Sequence, residues 1–96
     1  MYQIRLSPLA QTDYDTIFEY IADFDVTVAE DFMNSIMEKI ETLEHSPLVG
    51  KVDVANNCRR LVKRPYLIYY RVLESSKTVE IIHIRHGARK TLRDNL

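Results

Sequence analysis

Residues 58–90, CRRLVKRPYLIYYRVLESSKTVEIIHIRHGARK, decide the fold. Ile, Val, Tyr and Leu dominate the run, Pro65 and Glu74-Ser75-Ser76-Lys77 punctuate it, and no apolar position recurs with a helical period. The stretch therefore predicts consecutive strands. Tyr66 to Leu73 alternates Tyr66, Ile68, Tyr70 and Val72 against Leu67, Tyr69, Arg71 and Leu73. Both sets are largely apolar or aromatic, which places this strand centrally in a sheet. Thr78 to His86 alternates Val79, Ile81, His83 and Arg85 against Glu80, Ile82, Ile84 and His86, and the four residues between the two strands make them antiparallel neighbours. The same stretch carries Arg59, Arg60, Lys63, Arg64, Arg71, Arg85, Arg89 and Lys90, with His83 and His86 beside them. A sheet with this much fixed positive charge suits an anionic partner.

Working outward, the first half of the chain is the support for that sheet. Tyr2, Ile4 and Leu6 alternate with Gln3 and Arg5, as in a half-buried strand. Ser7-Pro8 then starts a helix, with serine as the cap and proline at the first helical position, where its missing donor costs nothing. Ala10, Tyr14, Ile17, Phe18 and Ile21 recur at helical spacing and predict a helix from about Pro8 to Asp23, with Asp13, Asp15, Glu19 and Asp23 turned to solvent. A turn at residues 23–26 leads to Thr27 and Glu30, a capping-box pair that predicts the start of a second helix. Its stripe is Ala29, Phe32, Met33, Ile36, Met37, Ile40 and Leu43. Two amphipathic helices joined this tightly make an antiparallel hairpin. Ser46-Pro47 and Gly50 end the second helix, and the polar run from Lys51 to Asn57, with Asn56-Asn57 as a turn element, is expected to be a loop or a short irregular crossing. The expected fold class is α+β: an N-terminal strand and an antiparallel helical hairpin packed on a mainly antiparallel sheet of three to four strands.

Ninety-six residues, 46% of them hydrophobic, suit one domain with one core. No run of 18 apolar residues occurs and the N-terminus lacks a signal-peptide pattern, so a cytoplasmic protein with no membrane partner is expected. The single cysteine, Cys58, excludes an internal disulfide and a Cys-based metal site. The net charge of -1 conceals two opposite halves. Residues 1–50 set ten acids against Arg5 and Lys39, a balance of -8, whereas residues 51–96 set eleven Lys and Arg against four acids, a balance of +7. An acidic helical layer and a basic sheet point to a polyanion or an acidic peptide as partner.

Several chemistries are excluded. The chain has no Walker loop, dinucleotide fingerprint, GxSxG or HExxH, and two glycines cannot build a phosphate cradle. His83 and His86, three apart on a strand, point to opposite faces and do not share a metal; neither a metal nor a cofactor is expected. Metal-free RNA cleavage needs an acid, a base and fixed positive charge for the phosphorane. The candidate catalytic set for it is His86 with Arg59, Arg60 and Arg85, and Tyr66, Tyr69 or Tyr70 would stack on bases. The same side chains suit an acidic partner peptide with no chemistry involved.

Taken in order, these residues resemble the RelE/ParE family of toxins from type II toxin-antitoxin systems. The resemblance runs through Ser7-Pro8-x-Ala10, Asp13, Ile17, Tyr20-Ile21, Ala29, Phe32, Leu43, His45-Ser46-Pro47, Gly50, Arg59-Arg60-Leu61, Tyr66-Leu67-Ile68-Tyr69-Tyr70-Arg71-Val72 and Ile84-Arg85-His86-Gly87-Ala88-Arg89. It implies a growth-arresting protein neutralised by a cognate antitoxin, in a heterotetrameric or larger complex. RelE-like members cut mRNA on the ribosome, and ParE-like members block DNA gyrase. The long helical hairpin and the terminal His86-x-x-Arg89 resemble the ParE-like branch more closely, so gyrase is the favoured target and the ribosome with its mRNA the alternative. An inert interaction module is a third reading. Lys63, Arg64, Tyr66, Arg71, Ile82, Ile84 and Arg89 are the candidate target- or antitoxin-binding residues.

Overall fold

Ser7 does more than end a strand. Its Oγ accepts the N–H of Ala10 at 3.0 Å and donates to the carbonyl of Ile82 at 2.8 Å, so one hydroxyl both starts a helix and ties it to the last strand. In the computed structural model, which describes residues 1–87, this joint connects β1 (Gln3–Leu6) to α1 (Pro8–Ala22). The next helix, α2 (Val26–Glu41), follows after a tight turn, and a single 3-10 turn at Thr42–Glu44 ends the helical half. The remaining strands are β2 (Lys51–Asp53), β3 (Cys58–Lys63), β4 (Tyr66–Leu73) and β5 (Thr78–His86). They form a five-stranded mixed sheet in the order β1-β5-β4-β3-β2, with β1 parallel to β5 and every other pair antiparallel. The strand expected at the centre, β4, is the third of the five.

The helical hairpin covers one face of the sheet. Ile17, Met33, Ile36, Ile40 and Leu43 from the helical half meet Leu61, Ile68, Tyr70, Val79, Ile81 and Ile84 from the strands. Ile36 and Ile40 are wholly buried, and burial of a side chain of that size contributes about 1.5–3 kcal/mol. The helical stripe predicted from the 3.6-residue period is thus the core face of α2. Among the described residues no helix is long and apolar enough to cross a membrane.

Four local expectations need correction. α2 starts at a cap on Asp25, whose carboxylate accepts the Val28 N–H at 3.1 Å, so Thr27 lies inside the first turn and the Thr27–Glu30 pair is not the cap. Residues 51–57 are not simply a loop, because Lys51–Asp53 pairs with Arg60, Arg59 and Cys58 as the edge strand β2. The reversal is made by Asp53, which accepts from the backbone and side chain of Asn56, and by Asn57, whose φ of 52° asparagine tolerates well. The sheet accordingly has five strands where three to four were expected. Finally, the strict alternation along β5 breaks at Ile82. The register pairs Tyr69 with His83 but Tyr70 with Ile81, leaving Ile82 as an extra, bulged residue. Val79, Ile81, Ile84 and His86 therefore face the helices, while Glu80, His83 and Arg85 face away.

Candidate functional site: two faces of a basic sheet

The bulge divides the cationic stretch into two sets. On β3, Leu61 is in the core, so Arg59 and Lys63 share its side and Arg60 takes the other. On β4, Tyr66, Ile68 and Tyr70 face the helices. The open face consequently holds Arg60, Tyr69, Arg71, Ile82, His83 and Arg85. Of the four residues expected to form a nuclease set, Arg60 and Arg85 lie on the open face, and Arg59 and His86 lie on the helix side.

On the helix side the side chains have structural partners. Arg59 Nη1 donates to the carbonyls of Leu48 and Gly50, at 3.1 and 2.9 Å. The hydroxyl of Tyr70, its cross-strand neighbour, accepts the Gly50 N–H at 2.8 Å and donates to the Pro47 carbonyl at 2.7 Å. Burial pushes the Tyr70 phenol above its ordinary value, against the lowering effects of the Gly50 hydrogen bond and the Arg59 charge. Together Arg59 and Tyr70 hold the segment that enters β2. At the other end of the sheet, the imidazole of His86 meets the ring of Tyr66 edge-on with centroids 5.2 Å apart. Both line an apolar groove of about 290 Å³ with Tyr20, Ile21, Val28, Phe32 and Pro65.

The three tyrosines considered for base stacking are all buried: Tyr66 at 6%, Tyr69 at 5% and Tyr70 at 0% exposure. Their faces are used in packing. Ile84 is also a correction, since at 3% exposure it belongs to the core and not to an exposed groove. Lys63 is half-buried at the end of β3, Arg64 is exposed in the turn before Pro65, and Arg89 lies outside the described residues.

The open face is different in kind. A cleft of about 200 Å³ is lined by Asn56, Cys58, Tyr69, Arg71, Ile82, His83 and Arg85. Arg60 adjoins it, opposite Tyr69, and Tyr69 is opposite His83. Among the described residues no carboxylate pairs with Arg60, Arg71 or Arg85. Glu80, which stands opposite Arg71 in the register, is engaged by Arg5 at 2.9 Å. His83 is held by Asp13: its Nδ1 bonds the Asp13 carboxylate, which also accepts the Ile84 N–H at 2.9 Å. Among the described residues no group of three or more His, Cys, Asp or Glu side chains is placed to hold a metal.

Asp13 was expected in solvent, and its position on β5 is a finding of the structure. A signal for it does exist in the sequence. The first strand is about half the length of the last, so on that side the far half of β5 lacks a strand neighbour and its backbone groups there need other partners. Ser7, the cap of the adjacent helix, donates to the Ile82 carbonyl, and Asp13, in the second turn of that helix, accepts the Ile84 N–H.

A family model described as the ParE toxin of the type II toxin-antitoxin system parDE matches residues 4–91. No curated protein sequence matches the chain. Among solved structures the fold is similar to a chain of the chromosomal ParDE system of P. aeruginosa, with a TM-score of 0.77 at 22% identity, covering 90% of this chain and 96% of that one. A chain of the E. coli RelBE toxin-antitoxin complex superimposes with a TM-score of 0.66 at 18% identity, over 90% and 96%. RelBE2 of Mycobacterium tuberculosis gives 0.67 at 21%, over 88% and 96%.

Proposed function

Because the chain belongs to the ParE toxin family of type II toxin-antitoxin systems, we propose that it arrests growth by inhibiting DNA gyrase and is neutralised by a cognate antitoxin. One observation carries the choice of gyrase over mRNA. The acid–base and cationic side chains expected of a ribonuclease do not converge: His86 and Arg59 are on the helix side, Arg60 and Arg85 on the open face, and Arg59 is bound to two backbone carbonyls. A phosphoryl-transfer site needs its groups within hydrogen-bond reach of one phosphate. A protein that blocks an enzyme by docking needs a shaped, charged surface instead, and the basic sheet supplies one.

The antitoxin is the partner that such a system requires, and the solved relatives include toxin-antitoxin complexes. Its stoichiometry with this chain is taken as two of each or more, in a cytoplasmic setting. The second reading, ribosome-dependent cleavage of mRNA, is favoured by a specific feature, the arginines beside His83 on the open face, which have no carboxylate partner among the described residues. Purified gyrase separates the two. The gyrase reading expects loss of supercoiling on adding the purified chain and its restoration by the antitoxin. Unimpaired supercoiling together with codon-spaced cuts in ribosome-bound mRNA would transfer the function to the second reading.

A further inference from the structure

The sheet has one closed edge and one open edge. At the first, β1 lies against the 3-10 turn, whose Glu44 carbonyl accepts the Tyr2 N–H at 2.9 Å, and beyond the end of β1 the first helix takes over through Ser7 and Asp13. At the second, β2 has a strand neighbour among the described residues on the β3 side only. The outer side of such a strand offers backbone donors and acceptors to another chain, and proteins commonly blunt it with a lysine or by keeping it short. β2 is short and carries Lys51, yet its surroundings are apolar. Val52 is 54% exposed, Val54 is 86% exposed, and Leu48 and Val49 just before the strand are exposed as well. Leu48, Val52 and Val54 border one cleft of about 420 Å³, so they form a patch and are not scattered.

We propose that β2 pairs antiparallel with β2 of a second copy of this chain, about a two-fold axis at Val52, so that two sheets join into one. Charge complementarity selects this occupant and this register. With Val52 opposite the second copy's Val52, each Lys51 stands opposite an Asp53, and opposite charges facing across strands are favourable. The nearest registers that keep every side chain on its own face are two residues away. They set Lys51 against Lys51 or Asp53 against Asp53, which is unfavourable. Val52 shares the helix side with its register partner Arg59, while Lys51 and Asp53 share the open face with Arg60 and Cys58. The valines therefore meet on the helix side, and the ion pairs form on the open face. Lys51 is exposed and has no carboxylate partner among the described residues. Asp53 accepts from Asn56, and a carboxylate has acceptor capacity beyond those two bonds. A strand of three residues makes a small interface, so the dimer is weak and reversible. The pairing goes beyond the function proposed above and holds for either target.

The test is sedimentation velocity on the whole purified chain over a concentration series. The expected result is a monomer that becomes a dimer, with half the chains paired at about 100 µM, as suits a small interface. Lys51→Asp and Asp53→Lys each set like charges opposite one another and are each expected to weaken pairing at least about tenfold. An equimolar mixture of the two variants is expected to pair again, because each then presents the charges that the other lacks. That rescue also shows that both variants are folded. Val52→Lys, which leaves the Asp53 contacts with Asn56 untouched, places lysine opposite lysine and is expected to abolish pairing. Circular dichroism on each variant separates a lost contact from a lost fold. A parent that stays monomeric up to about 1 mM overturns the proposal, as do single variants that pair like the parent or a mixture that fails to pair. If the chain alone stays monomeric and its β2 amides exchange slowly only when the cognate antitoxin is added, the edge belongs to the antitoxin and the proposal is overturned.

Discussion

Removing one oxygen from Tyr70 tests how the segment that enters the edge strand β2 is held. Tyr70→Phe keeps the ring in the core and deletes the hydroxyl that accepts from Gly50 N–H and donates to Pro47 O. The side chain is wholly buried and Gly50 is buried beside it, so water does not replace the lost partner. A neutral hydrogen bond contributes about 0.5–1.5 kcal/mol, and a buried donor left unpaired costs about 1–3 kcal/mol. Arg59 still holds the Gly50 and Leu48 carbonyls, which keeps the loop in place and leaves the N–H stranded. The expected loss is about 2–3 kcal/mol, or roughly 10–20 °C in Tm for a domain of this size. Urea unfolding should show a lower midpoint with an unchanged slope. A loss below about 0.5 kcal/mol would refute the reasoning, because it would mean that the phenol is not what holds residues 47–50 against the sheet.

Four other outcomes follow from the same geometry. A methyl group at Gly50 would lie 2.5 Å from the Tyr70 hydroxyl and 2.9 Å from the Arg60 carbonyl, so Gly50→Ala should destabilise by about 1–3 kcal/mol, measured by thermal melting. Asp13→Ala should cost about 1–3 kcal/mol and speed hydrogen exchange at the Ile84 amide, which loses its acceptor. Arg59→Ala should lower stability by about 1–2 kcal/mol while Arg60→Ala leaves it within about 0.5, because only the first guanidinium holds backbone carbonyls. The Tyr70 phenol is raised above 10.0 by burial, so below that pH it is neutral folded and unfolded and its contribution is fully present. As pH rises past 10 the unfolded chain releases the proton first, so stability falls with alkali; a pH series of melts should show a shallower fall in Tyr70→Phe.

Much of this fold is legible in the sequence. The Ser7-Pro8 start, the apolar stripe that runs along α2 to Leu43 in the 3-10 turn after it, and the central placement of β4 follow from capping, helical period and two-sided apolarity, which act locally. What escaped depends on distant pairing. A period of two carries no mark for an extra residue, so the bulge at Ile82 was invisible, and every assignment beyond it changed side, including Ile84 and His86. The edge strand β2 is short and polar and exists because β3 offers it backbone partners. Asp13 obeys the solvent face of its helix by spacing, and becomes a strand acceptor because β1 ends four residues in. Arg59 and Arg60 look alike as adjacent cations, and their different roles come from the register alone.

The most direct test of gyrase as target is to induce the chain alone in bacteria and follow DNA and protein synthesis separately by pulse labelling. The account predicts that DNA synthesis stops first, with filamentation and early translation intact. An immediate halt in translation with DNA synthesis continuing would contradict it, and no growth effect would leave an inert interaction module.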